Sequence, residues 1–167
     1  MTAAGRVVRP RPAHLQGRFL GPVAAGGAVG TGVRQGLGLL IPAAGAFPLA
    51  IFLINLTGAF VLGALLEGLL RAGPDEGRRR DVRLTVGTGF LGGYTTYSSL
   101  AVATGQLFLH GRPVLAVAYG LGSVVLGVAA AALGIGIVRR LPGRAGRTEL
   151  PGSSGRAGRR TGRGGAR

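Results

Sequence analysis

The sequence predicts an all-α membrane protein with four membrane-spanning helices. Its mean hydropathy is +0.41 although its formal net charge is +15, and the apolar residues and the charges occupy different stretches of the 167 residues. Apolar spans with basic flanks are typical of membrane proteins. The absence of Cys from the sequence excludes a disulfide framework, a Cys zinc site and a thiol nucleophile. The two histidines, His14 and His110, lie near predicted span ends, which argues against a histidine metal cluster or Ser-His catalysis.

The four predicted spans follow from the spacing of the charges. A helix needs about 20 mainly apolar residues to cross a membrane. The spans are residues 19–41, 48–70, 84–109 and 113–138. The first contains Arg34, the second carries Glu67 in its last turn, and the other two contain no charge. A cleavable signal peptide over residues 6–46 is disfavoured, because the apolar run is too long and contains Arg34.

The charged flanks predict the orientation of the chain. Eighteen Arg residues lie in the N-terminal segment 1–18, the loop 71–83 and the tail 139–167, whereas the other side has only Arg34 and Arg112. Cytoplasmic segments carry the excess of positive residues, so both termini are predicted to lie in the cytoplasm, with the chain in a bacterial plasma membrane. The Arg- and Gly-rich tail is predicted to be disordered and to contact anionic lipid headgroups. Nucleic acid is the disfavoured alternative partner of the tail.

The third span carries the most informative run of residues, from Gly87 to Leu100. Gly87, Gly89 and Gly92 match a dinucleotide-binding fingerprint by letter, but that motif needs a strand-to-helix turn and is a false match in an apolar span. A Gly-Gly pair followed by hydroxyl side chains at mid-span predicts a helix that is broken between Gly92 and Thr95. Broken helices at membrane depth line a cavity or bind an ion. Close helix packing with interhelical hydroxyl bonds is the alternative.

Polar residues in the other spans are candidates for the same site. Asn55 offers amide N–H donors without charge, which suits an anion that must bind and leave; its alternative role is an interhelical hydrogen bond. Tyr119 and Ser123, one turn apart on the fourth span, add hydroxyl donors. Arg34 is either a functional charge within the membrane or a side chain that reaches the outer interface. The glycines around it in the first span, including Gly36, predict close helix packing.

These residues resemble the Fluc (CrcB) family of fluoride channels over roughly residues 26–136. The resemblance rests on Gly26-Gly-Ala-Val-Gly30 with Arg34, Asn55-Leu-Thr-Gly58, the run from Gly89 to Ser99, and Tyr119 with Ser123. It implies an antiparallel, dual-topology dimer with two narrow fluoride pores. It also implies a structural sodium ion, not transported, at the dimer centre, held by the backbone carbonyls of Gly92 and Thr95 from each subunit. Asn55 would lie in the pore, and Tyr119 with Ser123 would form a polar track.

The chain departs from the family pattern at several pore positions. Where the family usually has Phe-Ser-Thr-Phe, this chain has Tyr97, Ser98, Ser99 and Leu100. Tyr97 therefore keeps the aromatic ring edge of the first Phe, whereas Leu100 lacks that of the second. A glutamate common in the family is replaced by Ala103, and a threonine by Ile51.

The expected function is passive export of cytoplasmic fluoride, with no covalent chemistry and therefore no enzymatic activity. An antiparallel homodimer needs one sequence to insert both ways, but the Arg bias fixes one orientation. We therefore expect a heterodimer with a related, oppositely oriented four-span subunit, and a homodimer is the alternative. One rival function is an antiporter resembling the small multidrug-resistance proteins, which would need a carboxylate at mid-membrane. The other is a non-conducting structural membrane subunit.

Overall fold

The computed structural model describes residues 17–42 and 44–142, and helices account for 86% of these residues. They are a 3₁₀ turn (Gly17–Phe19), α1 (Leu20–Leu40), α2 (Leu49–Ala72), α3 (Gly77–Val82), a π-helical segment (Arg83–Leu91), α4 (Gly92–Tyr94), α5 (Tyr97–Leu109) and α6 (Pro113–Arg140). The described ranges contain no β-strand, in agreement with the predicted all-α class. Most of the predicted basic segment 1–18 and of the predicted tail 139–167 lies outside the described residues.

Glycine and proline mark the helix ends. α1 ends at Leu40, and Ile41 is extended because a residue that precedes a proline avoids the helical conformation. Gly73 and Gly111 follow α2 and α5 with φ values of 123° and 71°, which residues other than glycine rarely adopt. Pro113 lies in the first turn of α6, where its missing N–H leaves no helical hydrogen bond unmade.

Two helices, α2 and α6, are long and apolar enough to cross a membrane by length and composition. α1 is 21 residues long and includes Arg34 and Gln35, and the predicted third span is divided among shorter helices. On α6, large apolar side chains such as Leu121 and Val128 are exposed on the outside of the chain. An exposed apolar surface of this kind faces lipid or another subunit.

α1 packs in parallel against residues 83–94 along a seam of glycines. A Cβ at Gly30 would overlap the carbonyl of Phe90, and a Cβ at Gly93 would overlap the α1 backbone. The missing side chains therefore let the two backbones approach closely. The packing role predicted for the first-span glycines is confirmed at Gly30, whereas a Cβ at Gly36 would meet nothing within 4 Å in this chain.

α2 and α6 pack in parallel along a second seam. Gly63 lies against the carbonyl of Ala131, and Gly134 lies against the carbonyl of Phe60, each so closely that a Cβ would overlap. The bundle thus consists of two parallel pairs of helices, each held by glycines on both partners.

The ends of α2 and α6 are tied together by charged side chains. Arg139 Nε lies 3.1 Å from the Glu67 carboxylate. Arg71 donates to the carbonyl of Val138 and, over 2.8 Å, to that of Leu141. Carbonyls at a helix C-terminus have no intrahelical donor and favour a cation, so Arg71 stabilises the last turn of α6.

The loop between α2 and α3 is organised by one carboxylate. Asp75 accepts two hydrogen bonds from Arg83, at 3.0 and 2.8 Å, and Arg80 Nε lies 3.8 Å away. The hydrogen bond from Arg83 is the main reason that the pKa of Asp75 lies below its ordinary value of 3.8. The Arg-rich loop therefore carries its own counter-ion.

Candidate functional site

The helix break lies at Thr95 and Thr96. Both residues are extended, with φ and ψ of −81° and 155° at Thr95 and −149° and 118° at Thr96. Gly92 keeps helical angles of −65° and −36°, so the break lies at the C-terminal limit of the predicted interval and just beyond it. The physical reason is that Thr96 caps α5: its Oγ1 accepts the Ser99 N–H at 3.1 Å, as N-cap threonines do.

Asn55 on α2 holds the broken backbone in place. Its Nδ2 donates to the Thr96 carbonyl over 3.0 Å, and its Oδ1 accepts the Thr96 N–H over 2.8 Å. The amide thus replaces the helical acceptor of the Thr96 N–H and gives the Thr96 carbonyl a donor from α2, so that the N–H is not left unpaired away from water. The interhelical hydrogen bond that was the alternative role of Asn55 is present, and one Nδ2 hydrogen stays free of these contacts.

Two neighbours of Asn55 also contact the break. Thr57 Oγ1 lies 2.9 Å from Tyr94 Oη, and a Cβ at Gly58 would overlap the side chain of Thr95. The break therefore lies directly on α2, held by an amide, a hydroxyl pair and a glycine.

The carbonyls of Gly92 and Thr95 lose their usual helical donors at the break. In an uninterrupted α-helix the Thr96 N–H would bond to Gly92 and the Ser99 N–H to Thr95. Here the first bonds to Asn55 Oδ1 and the second to Thr96 Oγ1. Carbonyl oxygens released in this way suit a hard cation such as Na⁺, so these residues fit the ion that the family resemblance implies.

Hydroxyl groups and one arginine surround the start of α5. Arg34 Nη1 donates to Ser99 Oγ at 3.3 Å, and Thr96 Oγ1 lies 3.1 Å from both Ser98 Oγ and Ser99 Oγ. Arg34 Nε is buried and has no partner within the described part of the chain. Arg34 therefore points at the break, and its functional role stays a prediction. Ser99 accepts two of these bonds and keeps its own O–H proton for a further acceptor.

The remaining predicted pathway residues lie apart from this cluster in the single chain. Tyr97 is 81% exposed, whereas Tyr119 is only 2% exposed and its hydroxyl has no partner among the residues described. The Tyr119 ring packs against Phe47 at 5.5 Å, in an apolar cluster that includes Leu100. Ser123 donates to the Tyr119 carbonyl at 2.6 Å, so its proton is used within α6.

Comparison with known proteins places the chain in a family. The profile of the family described as CrcB-like protein, Camphor Resistance (CrcB), matches residues 22–135. The chain belongs to the CrcB-like family. It is 47% identical over 126 residues to the fluoride-specific ion channel FluC 2 of Leifsonia xyli subsp. xyli, covering 75% of this chain and 87% of that protein. It is 46% identical over 127 residues to the fluoride-specific ion channel FluC 1 of Cutibacterium acnes, covering 75% and 89%.

The sequence of this CrcB-like chain contained signals for two contacts that were not predicted. Thr57 bonds to Tyr94, and Gly58 receives Thr95. Asn55 and Gly58 lie three residues apart, on one face of α2, so the Asn-Leu-Thr-Gly run indicates a surface that faces one partner. The capping role of Thr96 could have been recognised from the preference of threonine for helix N-termini.

Proposed function

We propose that this chain forms a fluoride-selective channel, through which cytoplasmic fluoride leaves the cell passively and its toxicity is limited. The supporting observation is the broken helix, where hydroxyl groups and Arg34 meet within a bundle of apolar helices. Membership of the CrcB-like family and the names of the relatives support fluoride as the ion. The proposed activity involves no covalent step and no enzymatic turnover.

The donors around the break suit a small anion. A fluoride ion that leaves water must exchange its hydration for hydrogen bonds, and conduction requires that these bonds also let it go. The free O–H of Ser99, the unpaired Nδ2 hydrogen of Asn55 and the N–H groups of Tyr97 and Ser98 at the start of α5 are such donors. The Arg34 guanidinium adds positive charge, with its Nη1 3.3 Å from Ser99 Oγ. In this proposal Tyr97, Tyr119 and Leu100 complete the path only in the assembled dimer.

The proposed topology has four spans with both termini in the cytoplasm. Residues 84–94 and α5 would together make the third crossing, interrupted at Thr95 and Thr96. This orientation puts the ion pair of Glu67 and Arg139 on the cytoplasmic side, beside the Arg-rich loop, and the basic tail would contact anionic lipid there. The break lacks an acidic residue among its described hydrogen-bond partners, which disfavours the antiporter alternative.

A structural sodium ion is proposed at the dimer centre. When bound, it would supply a positive centre for the carbonyls of Gly92 and Thr95. Gly92 is exposed, and a Cβ there would meet nothing within 4 Å in this chain, so a second subunit has room to approach. An antiparallel arrangement would bring the mid-depth residues of two subunits together, which supports a shared site.

The partner in this dimer is proposed to be a related four-span subunit of opposite orientation. The supporting observation is the Arg distribution of 18 against 2, which fixes one orientation. The numbered names of relatives, such as FluC 3 of Streptomyces avermitilis, which is 39% identical over 145 residues, suggest more than one copy in an organism. In a homodimer each pore would combine Tyr97 with Leu100 and would lack the second aromatic ring of the family pattern. A partner subunit that has both aromatic residues would supply that second ring to one of the two pores.

Efflux from liposomes tests these proposals together. The purified chain is reconstituted alone and with a candidate four-span partner, and fluoride and chloride efflux are measured with and without sodium. Fluoride efflux without chloride efflux in either preparation supports the channel. Efflux from the chain alone would favour the homodimer, and the absence of fluoride efflux from both would favour the structural subunit.

A further inference from the structure

A cavity of about 290 Å³ lies where the Arg-rich loop meets the end of α2. Three leucines from the last two turns of α2 form its apolar wall, and the facing wall consists of Gly73, Asp75, Arg79 and Arg83. α2 is long and apolar enough to cross a membrane, so its end lies at the membrane–water interface. The cavity therefore joins an apolar surface to a cationic one at interfacial depth, away from the hydroxyl cluster at the break.

The Arg79 guanidinium is seated against the backbone at the end of α2. Its Nη1 donates to the Ala72 carbonyl, and a Cβ at Gly73 would overlap the same nitrogen. The absence of a side chain at Gly73 thus makes room for the guanidinium. Among the residues that the structure describes, no hydrogen-bond acceptor reaches Nη2 or Nε of Arg79. Arg79 is therefore held at the cavity with N–H groups available to an oxygen ligand.

The carboxylate in the described lining is already neutralised. Asp75 accepts two hydrogen bonds from Arg83, at 3.0 and 2.8 Å, and Arg80 Nε lies 3.8 Å from it. Arg79 takes part in none of the ion pairs of the described residues. Two arginines and one aspartate leave one net positive charge in the lining, and the pairing places that charge at Arg79.

We propose that this cavity binds one phospholipid with a negatively charged headgroup, whose phosphate contacts Arg79 and whose first acyl carbons lie against the leucines. A guanidinium matches the geometry of a phosphate with two parallel N–H bonds, and basic pockets beside membrane-spanning helices recognise anionic headgroups. A free phosphate ion would leave the leucines in contact with water, so the apolar wall favours a lipid. The proposal does not depend on fluoride conduction, and the proposed topology decides only that the lipid belongs to the cytoplasmic leaflet.

Fluorescence quenching can localise the lipid because the sequence contains no Trp. Leu70→Trp places one indole at the exposed edge of the apolar wall, and Ile137→Trp places one on the exposed face of α6. The two positions lie at a similar level, since Gly68 lies beside Val138. The full chain with either reporter is reconstituted in phosphatidylcholine vesicles, and brominated phosphatidylglycerol is compared with brominated phosphatidylcholine as quencher. The anionic lipid should be favoured about fivefold by the Leu70→Trp reporter, the factor that one interfacial arginine supplies, and less by the Ile137→Trp reporter.

A matched pair of substitutions separates the site from general attraction to the Arg-rich loop. Arg79→Gln should reduce the preference of the Leu70→Trp reporter to that of the Ile137→Trp reporter. Arg78→Gln should leave the preference unchanged, because Arg78 is exposed and lies outside the described lining although it carries the same charge. Quenching by brominated phosphatidylcholine should be the same in both variants, which shows that the reporter still faces lipid.

Three results would overturn the lipid site. Equal effects of Arg79→Gln and Arg78→Gln, or the same preference at both reporters, would assign the attraction to the basic surface as a whole. Loss of the preference when inorganic phosphate replaces chloride at constant ionic strength would show that Arg79 binds free phosphate instead of a lipid.

Discussion

The glycine seams and the helix break are stabilised in opposite ways within one bundle. At the seam between α1 and residues 83–94, backbones come together because side chains are missing, as at Gly30 and Gly93. At the break, the backbone leaves the helix because side chains of other residues take over its hydrogen bonds, as Asn55 does for Thr96. The seam is therefore sensitive to the volume of a substituent, and the break is sensitive to the loss or reversal of a donor.

The difference has a consequence for how the two regions tolerate change. A methyl group at the seam disturbs two helices, whereas an isosteric change at the break alters hydrogen bonding at almost constant shape. Substitutions that separate volume from hydrogen bonding should consequently affect one region and spare the other.

The largest effect is expected from Gly30→Val. A side chain at this position overlaps the Phe90 carbonyl, and overpacking already costs about 1–3 kcal/mol where side chains can adjust, so a backbone obstacle should cost more than about 3 kcal/mol. The matched control is Gly32→Val, because a Cβ at Gly32 meets nothing within 4 Å. Monodisperse yield and thermal midpoint in detergent measure both variants. Equal behaviour of the two would contradict steric control of the seam.

The next largest effect is expected from Asn55→Asp. A carboxylate still accepts the Thr96 N–H but cannot donate to the Thr96 carbonyl, and it repels an anion. We expect fluoride efflux to fall more than about a hundredfold, while dimer elution on size exclusion is retained. Normal efflux from this variant would remove Asn55 from the conduction path and leave it only its contact with the backbone.

Gly92→Val tests the free face of the break. The side chain finds open space in the single chain, but it would crowd a second subunit that approaches the same carbonyls. We expect weaker dimerisation and loss of any sodium-dependent rise in thermal midpoint. Gly38→Val is the control, since a Cβ at Gly38 also meets nothing within 4 Å. A sodium-responsive dimer of the Gly92 variant would argue against this position for the ion.

The hydrogen bond between the hydroxyl groups of Thr57 and Tyr94 should contribute modestly to the free energy of unfolding. Interhelical hydrogen bonds in membrane proteins average about 0.6 kcal/mol in double-mutant cycles. Thr57→Val, Tyr94→Phe and the double variant, compared by reversible unfolding in detergent, should give a coupling energy of this order. Additive effects of the two substitutions would show that this contact does not help to hold the break.

The smallest effect is expected at Asp75, which lies outside both regions. Its pKa is lowered mainly by the hydrogen bond from Arg83, so its contribution to stability is present above about pH 4 and is lost as the pH falls through the lowered value. Asp75→Asn should therefore lower stability slightly at pH 7 and flatten the stability profile between about pH 5 and about pH 3, below which the two proteins should agree. Thermal midpoints across this range, with Glu76→Gln as a control, measure it.

Sequence patterns predicted those parts of the fold that depend on composition along the chain. The limits of α1, α2 and α6 follow from apolar runs bounded by glycine, proline and charge. The winding of residues 83–91 could not be predicted in this way, because no composition rule distinguishes a π-helix from an α-helix in a glycine-rich run. The break was predicted from its Gly-Gly pair, but Gly93 serves packing, Gly92 keeps helical angles, and the threonines that follow them carry the extended backbone.

The sequence predicted which residues belong to the candidate site better than it predicted the contacts among them. The sequence identifies Asn55, Ser98 and Ser99 as polar residues in apolar surroundings. It does not show that the Asn55 amide is occupied by the Thr96 backbone, since this depends on which helices are neighbours. The direction of Arg34 was equally open, because a long side chain near a helix end can reach either the interface or the bundle interior.

The π-helical segment Arg83–Leu91 has a consequence for how the family can vary. A π-helix takes more residues per turn than the 3.6 of an α-helix, so each of these nine residues rotates the chain by less than the usual angle. Restoring α winding over the same nine residues would turn everything after Leu91 about the helix axis, and Thr95 and Thr96 would then leave the helix toward a different neighbour. A change of length in this segment that is not matched by a change of winding would therefore re-aim the break, which makes insertions and deletions there informative differences between related chains.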